Sequence, residues 1–111
     1  MHESFTAVIE RNVAFDTDFS TEPYECAWAS EARWFIRVMD LEGENPEFEA
    51  WVQVSPDGLF WCNEGSRFQP IHKPGLYTVP VHYFGGWLRL ECHLRGRNPH
   101  ARVMIYLALK A

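Results

Sequence analysis

Apolar and polar residues alternate along most of this chain. In "EARWFIRVMDLEG", Ala32, Trp34, Ile36 and Val38 fall on one side, and Arg33, Phe35 and Arg37 on the other. "PEFEAWVQVS" groups Phe48, Ala50, Val52 and Val54, with Glu49, Trp51 and Gln53 opposite. "GLYTVPVHYF" groups Tyr77, Val79, Val81 and Tyr83. Two further runs place Leu88, Leu90, Cys92 and Leu94, then Val103, Ile105, Leu107 and Leu109, on buried faces. Trp87, Arg89, Glu91 and His93 lie opposite the first of these. The stretch "SFTAVIERNVAF" supplies one or two more strands. No window of about eleven residues repeats apolar positions at helical spacing. The pattern therefore predicts an all-β chain, a single-domain antiparallel β-sandwich (jelly-roll-like) of roughly seven to eight strands over residues 1–111.

Turn chemistry marks where these strands end. In "VSPDGLFWCNE", Pro56 presets a turn φ and Gly58 supplies a positive φ at little cost. Asp57-Gly58 between alternating runs is a strong hairpin signal. The return strand is expected to begin at Leu59, with Trp61 in the core. "RGRNP", at 95–99, predicts a second hairpin joining the last two runs. Pro80 cannot donate to a ladder, so its strand is expected at an edge or a bulge.

Composition narrows the function more than the fold. The chain has 111 residues, 47% hydrophobic and 23% charged, a globular balance. Aromatics make up 15%, including five Trp, so core, binding surface or both must use them. A net charge of −5 argues against a nucleic-acid partner, which needs a basic footprint. The opening residues have no basic start and no apolar run, so no signal peptide is expected, and no stretch is long and apolar enough for a membrane span. The expected localisation is cytoplasmic or within an assembled particle.

Candidate chemistry is sparse. Cys26, Cys62 and Cys92 form no C-x-x-C spacing and read as reduced thiols rather than a metal site with His82 or His93. Cys92 and His93 are adjacent on one strand and so point to opposite faces. Cys62 with His72 or His82 is the remaining nucleophile pairing, supported by composition alone. Asp16, Asp18 and Glu22 are the candidate calcium ligands, but "FDTDFSTE" lacks the glycine and terminal glutamate of an EF-hand loop. Glu42, Glu44, Glu47 and Glu49 read as a solvated loop and strand edge. No catalytic residue, no metal ligand and no cofactor is therefore assigned, and the chain is expected not to be an enzyme.

Two family patterns resemble parts of the chain. "WVQVSPDGLFWCNEG" followed by "GLYTVPVHYFGGWLRLECHLRG" resembles discoidin-type (coagulation factor 5/8 C-terminal) domains. Ser55, Asp57, Gly58 and Trp61 match their turn, and Trp87-Leu88-Arg89-Leu90 their later strand. The likeness implies a jelly-roll sandwich and carbohydrate or lipid binding. The chain is much shorter than those domains, without a visible counterpart of their calcium loops or apolar loop spikes. Gly96, Asn98-Pro99 and the terminal "VMIYLALK" also resemble small β-sandwich proteins of phage tails and virions, which implies a structural subunit of a symmetric assembly.

The expected role is a non-catalytic structural protein that associates with itself or other assembly subunits; the alternative is a carbohydrate-binding module. The expected surface gathers Trp51, Trp87, Arg33, Arg37, Arg89 and His93 on one outer face, since interface centres favour Trp and Arg. Pro56, Asp57, Gly58 and Trp61 are assigned to the structural turn.

Overall fold

A computed structural model describes residues 4–111. The described residues form seven strands and no helix: β1 (Ser4–Phe15), β2 (Phe19–Ser20), β3 (Tyr24–Glu25), β4 (Glu31–Ser55), β5 (Cys62–Arg67), β6 (Gly75–Val81) and β7 (Trp87–Lys110). Among the described residues no helix is long and apolar enough to cross a membrane. All pairings are antiparallel.

β4 and β7 are the backbone of the fold. They pair along nearly their whole length, from Glu31–Lys110 to Ser55–Trp87. A straight strand of 25 residues would span about 80 Å at ~3.3 Å per residue, yet the longest dimension of the molecule is 46 Å. The ribbon must therefore fold over. It does so where Gly43-Glu44-Asn45-Pro46 meets Gly96-Arg97-Asn98-Pro99, the site of its consecutive register shifts. Both glycines and both asparagines have positive φ there: 123° and 118°, and 49° at each Asn. A Cβ on Gly96 would sit 2.8 Å from the Asn45 carbonyl oxygen, and one on Gly43 would sit 2.9 Å from those of Arg97 and Asn98. Each glycine thus lies against its partner's Asn-Pro, as paired bulges that bend the strands.

This overturns the hairpin expected at 95–99. The two terminal runs are one continuous strand, β7, because the turn residues make bulges rather than a reversal. Each run pairs instead with half of β4.

Folding the ribbon makes two layers. The first holds β4 up to Leu41 and β7 from Ala101, flanked by β6 and β1. The second holds β4 from Glu47 and β7 up to Arg95, flanked by β5 and by the short β2 and β3. The expected inward series meet between the layers. Trp34, Ile36, Phe48, Ala50, Val52, Leu88, Leu90, Cys92, Val103, Ile105, Leu107 and Leu109 are all fully buried in one cluster. Phe15 packs edge-on against Phe19 and Phe48, with ring centroids 4.4 and 5.6 Å away. β6 pairs only with β4, which puts Pro80 on an edge strand as its chemistry requires. The result is the β-sandwich that the alternation predicted.

Candidate binding surfaces

The fold-over decides where the candidate residues go. Inward residues of both ribbon halves share one core, so their outward residues face opposite sides of the sandwich. Arg33 and Arg37 lie on the first layer's outer face; Trp51, Arg89 and His93 lie on the second's. The single six-residue surface expected from alternation is therefore divided in two.

Trp87 belongs to neither flat face. It is half-buried at the ribbon end beneath the Pro56–Trp61 loop, its ring 3.3 Å from where a Cβ on Gly58 would sit. A φ of 80° favours glycine at 58, and a Cβ there would press against the Trp87 ring. The loop is closed by side chains. Gly58 and Asp57 donate backbone N–H bonds to Ser55 Oγ at 2.8 and 3.2 Å. Leu59 and Phe60 donate theirs to Asp57 Oδ1 at 2.9 and 3.1 Å. Those donors, with the Ser55 hydroxyl, hold the Asp57 carboxyl below its usual range. The expected Ser-x-Asp-Gly turn is present, but the return strand starts at Cys62 rather than Leu59. Leu59 and Phe60 project into solvent, 76% and 77% exposed, so this loop does carry an apolar tip. Alternation could not show it, because both residues lie in an irregular loop.

The outer face of the first layer has an apolar centre. Phe35, Met104, Tyr106 and Ala108 are half-buried along its centre, with Val8 and Leu76 exposed at its margins. Tyr106 Oη donates to Met104 Sδ at 3.4 Å. Arg33 reaches the Thr78 hydroxyl at 3.1 Å. Among the described residues neither Arg33 nor Arg37 has a carboxylate partner.

The second face is polar and internally paired. Arg89 lies 4.3 Å from the Trp61 ring centroid and donates to Gln53 Oε1 at 2.8 Å. Gln53 in turn donates to Asn63 at 3.1 Å. Trp61, expected in the core, is half-buried on this outer face because the loop carries it over Arg89. The Trp51 ring is 4.6 Å from His93, and Arg67 lies 5.5 Å from its centroid. Arg95 and Arg67 approach Glu49 at 3.4 and 3.9 Å. His93 stands between Asp18, 3.5 Å away, and Glu91, 3.4 Å away; Glu91 also accepts a hydrogen bond from Ser20.

The other candidates are scattered. Asp18 accepts the Leu94 N–H at 2.8 Å and so pins the β1–β2 connection to β7. Glu22 lies beside Glu10, whose carboxyl is raised mainly by burial. Asp16, Asp18 and Glu22 do not form a metal site, and among the described residues no group of three His, Cys, Asp or Glu side chains is placed to hold a metal ion. Cys62 starts β5 in the second layer, whereas His82 follows β6 in the first; His72 lies 3.6 Å from Glu47. Cys26 and Cys92 are buried and Cys62 is exposed. Burial pushes the Cys26 thiol up to about 11 and the Cys92 thiol well above its ordinary value.

No protein-family model and no curated protein matches the chain. Solved structures do share its fold. The exported PBSX protein XepA superposes with a TM-score of 0.67 at 11% identity, over 95% of this chain and 36% of that one. The CBM36-1 domain of a multidomain xylanase from the Trinervitermes trinervoides hindgut metagenome gives 0.57 at 13% identity, over 96% of both chains. The SPBc2 prophage-derived protein YomS gives 0.56 at 6% identity, over 100% of this chain and 96% of that one. This chain thus spans about a third of XepA but nearly all of the other two. At such identities the likeness establishes the fold alone.

Proposed function

We propose that residues 1–111 form a single, non-catalytic β-sandwich domain that acts by protein–protein association, as a subunit of a larger particle such as a virion or tail. The observation that carries this reading is the outer face of the first layer. It offers Phe35, Met104 and Tyr106 as an apolar centre, with Arg33 and Arg37 lacking carboxylate partners among the described residues. Apolar centres with aromatic, Met and Arg side chains are what interfaces enrich. The shared fold with a PBSX protein and a prophage-derived protein fits the same role.

Native mass spectrometry over a range of concentrations and salt tests it. A defined oligomer, lost in Tyr106→Ala and Arg37→Glu but kept in Arg89→Ala, is the expected result. A monomer under all conditions that also forms no complex with proteins encoded by neighbouring genes would refute it.

Carbohydrate binding is the second reading. It is supported by a separate observation, the aromatic and polar outer face of the second layer. The same fold spans the length of a CBM36 domain.

A further inference from the structure

We propose that a slot at the β4–β5 junction binds a single pyranose ring of a carbohydrate chain. This rests on the second reading above and locates its site.

The slot comes from a break in the ladder. Trp51 pairs with Arg67 and Gln53 with Asn63, so Val52 alone stands opposite Glu64, Gly65 and Ser66. The surplus residues lift away from β4. Gly65 turns with a φ of 118°, and nothing lies within 4 Å of where its Cβ would be. Bulges of this kind recur beside binding sites, where they re-aim side chains. The opening measures about 370 Å³, near the lower end of the range for ligand pockets, which suits one ring rather than a large ligand.

Its lining selects the ligand chemistry. Trp51 is the apolar platform, and an indole face attracts the weakly positive C–H face of a sugar ring. Glu49 can only accept hydrogen bonds while ionised, and Arg95 can only donate. Together they match a pair of neighbouring hydroxyls, which both donate and accept. Asn63, whose carbonyl already accepts from Gln53, adds amide donors, and Ser66, whose hydroxyl donates to Glu64, adds an acceptor. A purely apolar ligand would strand these polar groups. Phosphate would meet the Glu49 carboxylate, so a polyhydroxylated ring with little charge fits best.

Arg67 stands over the Trp51 ring, where the sugar would stack. Its side chain is 59% exposed and its contact with Glu49 is long, at 3.9 Å, so it is a displaceable cover. Its removal should not weaken binding.

The test is calorimetric titration of the whole chain with xylohexaose, cellohexaose and trigalacturonate at millimolar concentrations, alongside thermal melts. The expected result is binding of a neutral hexasaccharide, reduced at least roughly tenfold in Trp51→Ala and in Glu49→Gln, retained in Arg67→Ala, with the melts of Glu49→Gln and Arg67→Ala unchanged. Preference for trigalacturonate would overturn the choice of a neutral ring. Binding that survives both Trp51→Ala and Glu49→Gln would overturn the slot while leaving the carbohydrate reading intact. No binding of any of the three would remove both.

Discussion

The two outer faces of this sandwich come from the same ribbon, yet they are finished differently. On the second layer nearly every charged or aromatic group is answered within the chain: Arg89 by Trp61 and Gln53, Glu49 by Arg67 and Arg95, His93 by Asp18 and Glu91. On the first layer, Arg37 has no such partner among the described residues, and the aromatic centre is bordered by exposed Val8 and Leu76. A face whose groups satisfy one another is ordered before any ligand arrives, so little freedom is lost on binding a small molecule. A face with apolar area and unanswered cations gains most by meeting another macromolecule. The contrast therefore matches the two kinds of partner proposed for the two faces.

Both faces depend on the core they share, so the largest effect should come from removing its bulk. Trp34→Ala deletes the largest fully buried side chain among the described residues, on β4 between β6 and β7. It should cost about 3–5 kcal/mol, read by chemical denaturation, and should abolish both face-specific behaviours together. Gly96→Ala attacks the corner that sends the faces apart. With a φ of 118° and a carbonyl oxygen 2.8 Å from the new Cβ, it should cost roughly 2–4 kcal/mol. A cost below about 0.5 kcal/mol would show that the corner can relax, and that the opposition of the faces is not held there.

Substitutions on the faces themselves should be gentler. Arg37→Glu should leave unfolding within about 0.5 kcal/mol of the parent while removing association seen by native mass spectrometry. Arg89→Ala should leave association alone but cost about 0.5–1 kcal/mol through the lost stacking on Trp61. If the two substitutions exchanged these effects, the assignment of partners to faces would be reversed. The subtlest test uses Asp57, whose carboxyl is depressed by the Leu59 and Phe60 amides. A depressed carboxyl contributes stability above its unfolded value of about 3.9 that is lost as pH falls below that value toward the folded one. Asp57→Asn should therefore lower stability near neutrality, where that contribution is fully present, and flatten part of the acid limb, so that the two profiles converge at low pH. An unaltered acid limb would show that the turn does not depend on that charge.

Much of the fold was legible in residue order. The inward series from Ala32 to Val38, Phe48 to Val52, Leu88 to Leu94 and Val103 to Leu109 are buried as their alternation requires, because a strand exposes successive side chains on opposite faces. Asp57-Gly58 closes a hairpin, and Pro80 lies on an edge. The corner was misread although its signal is present twice: "GENP" at 43–46 and "GRNP" at 96–99. One such motif looks like a turn. Two, spaced so that each glycine meets the other's Asn-Pro, indicate paired bulges in a single bent ribbon.

The candidate surfaces were less legible. Alternation showed correctly that Trp51, Arg89, His93, Arg33 and Arg37 point away from the core. It could not show that the five divide between two faces, since period two records the side of a strand and not the layer the strand occupies. Trp61 was misplaced for a related reason, because an irregular loop carries it outside the alternation.

By itself the sequence determined which side of the runs Ala32–Val38, Phe48–Val52, Leu88–Leu94 and Val103–Leu109 is buried, that Gly58 takes a positive φ, and that the chain is a sandwich of antiparallel strands. These are local consequences of side-chain period and backbone φ. Only the tertiary structure decided that β4 and β7 are continuous, that their outward residues face opposite ways, and that a ladder break opens a slot above Trp51. Those depend on contacts between residues distant in the chain, where register and folding direction, not local preference, set what meets what.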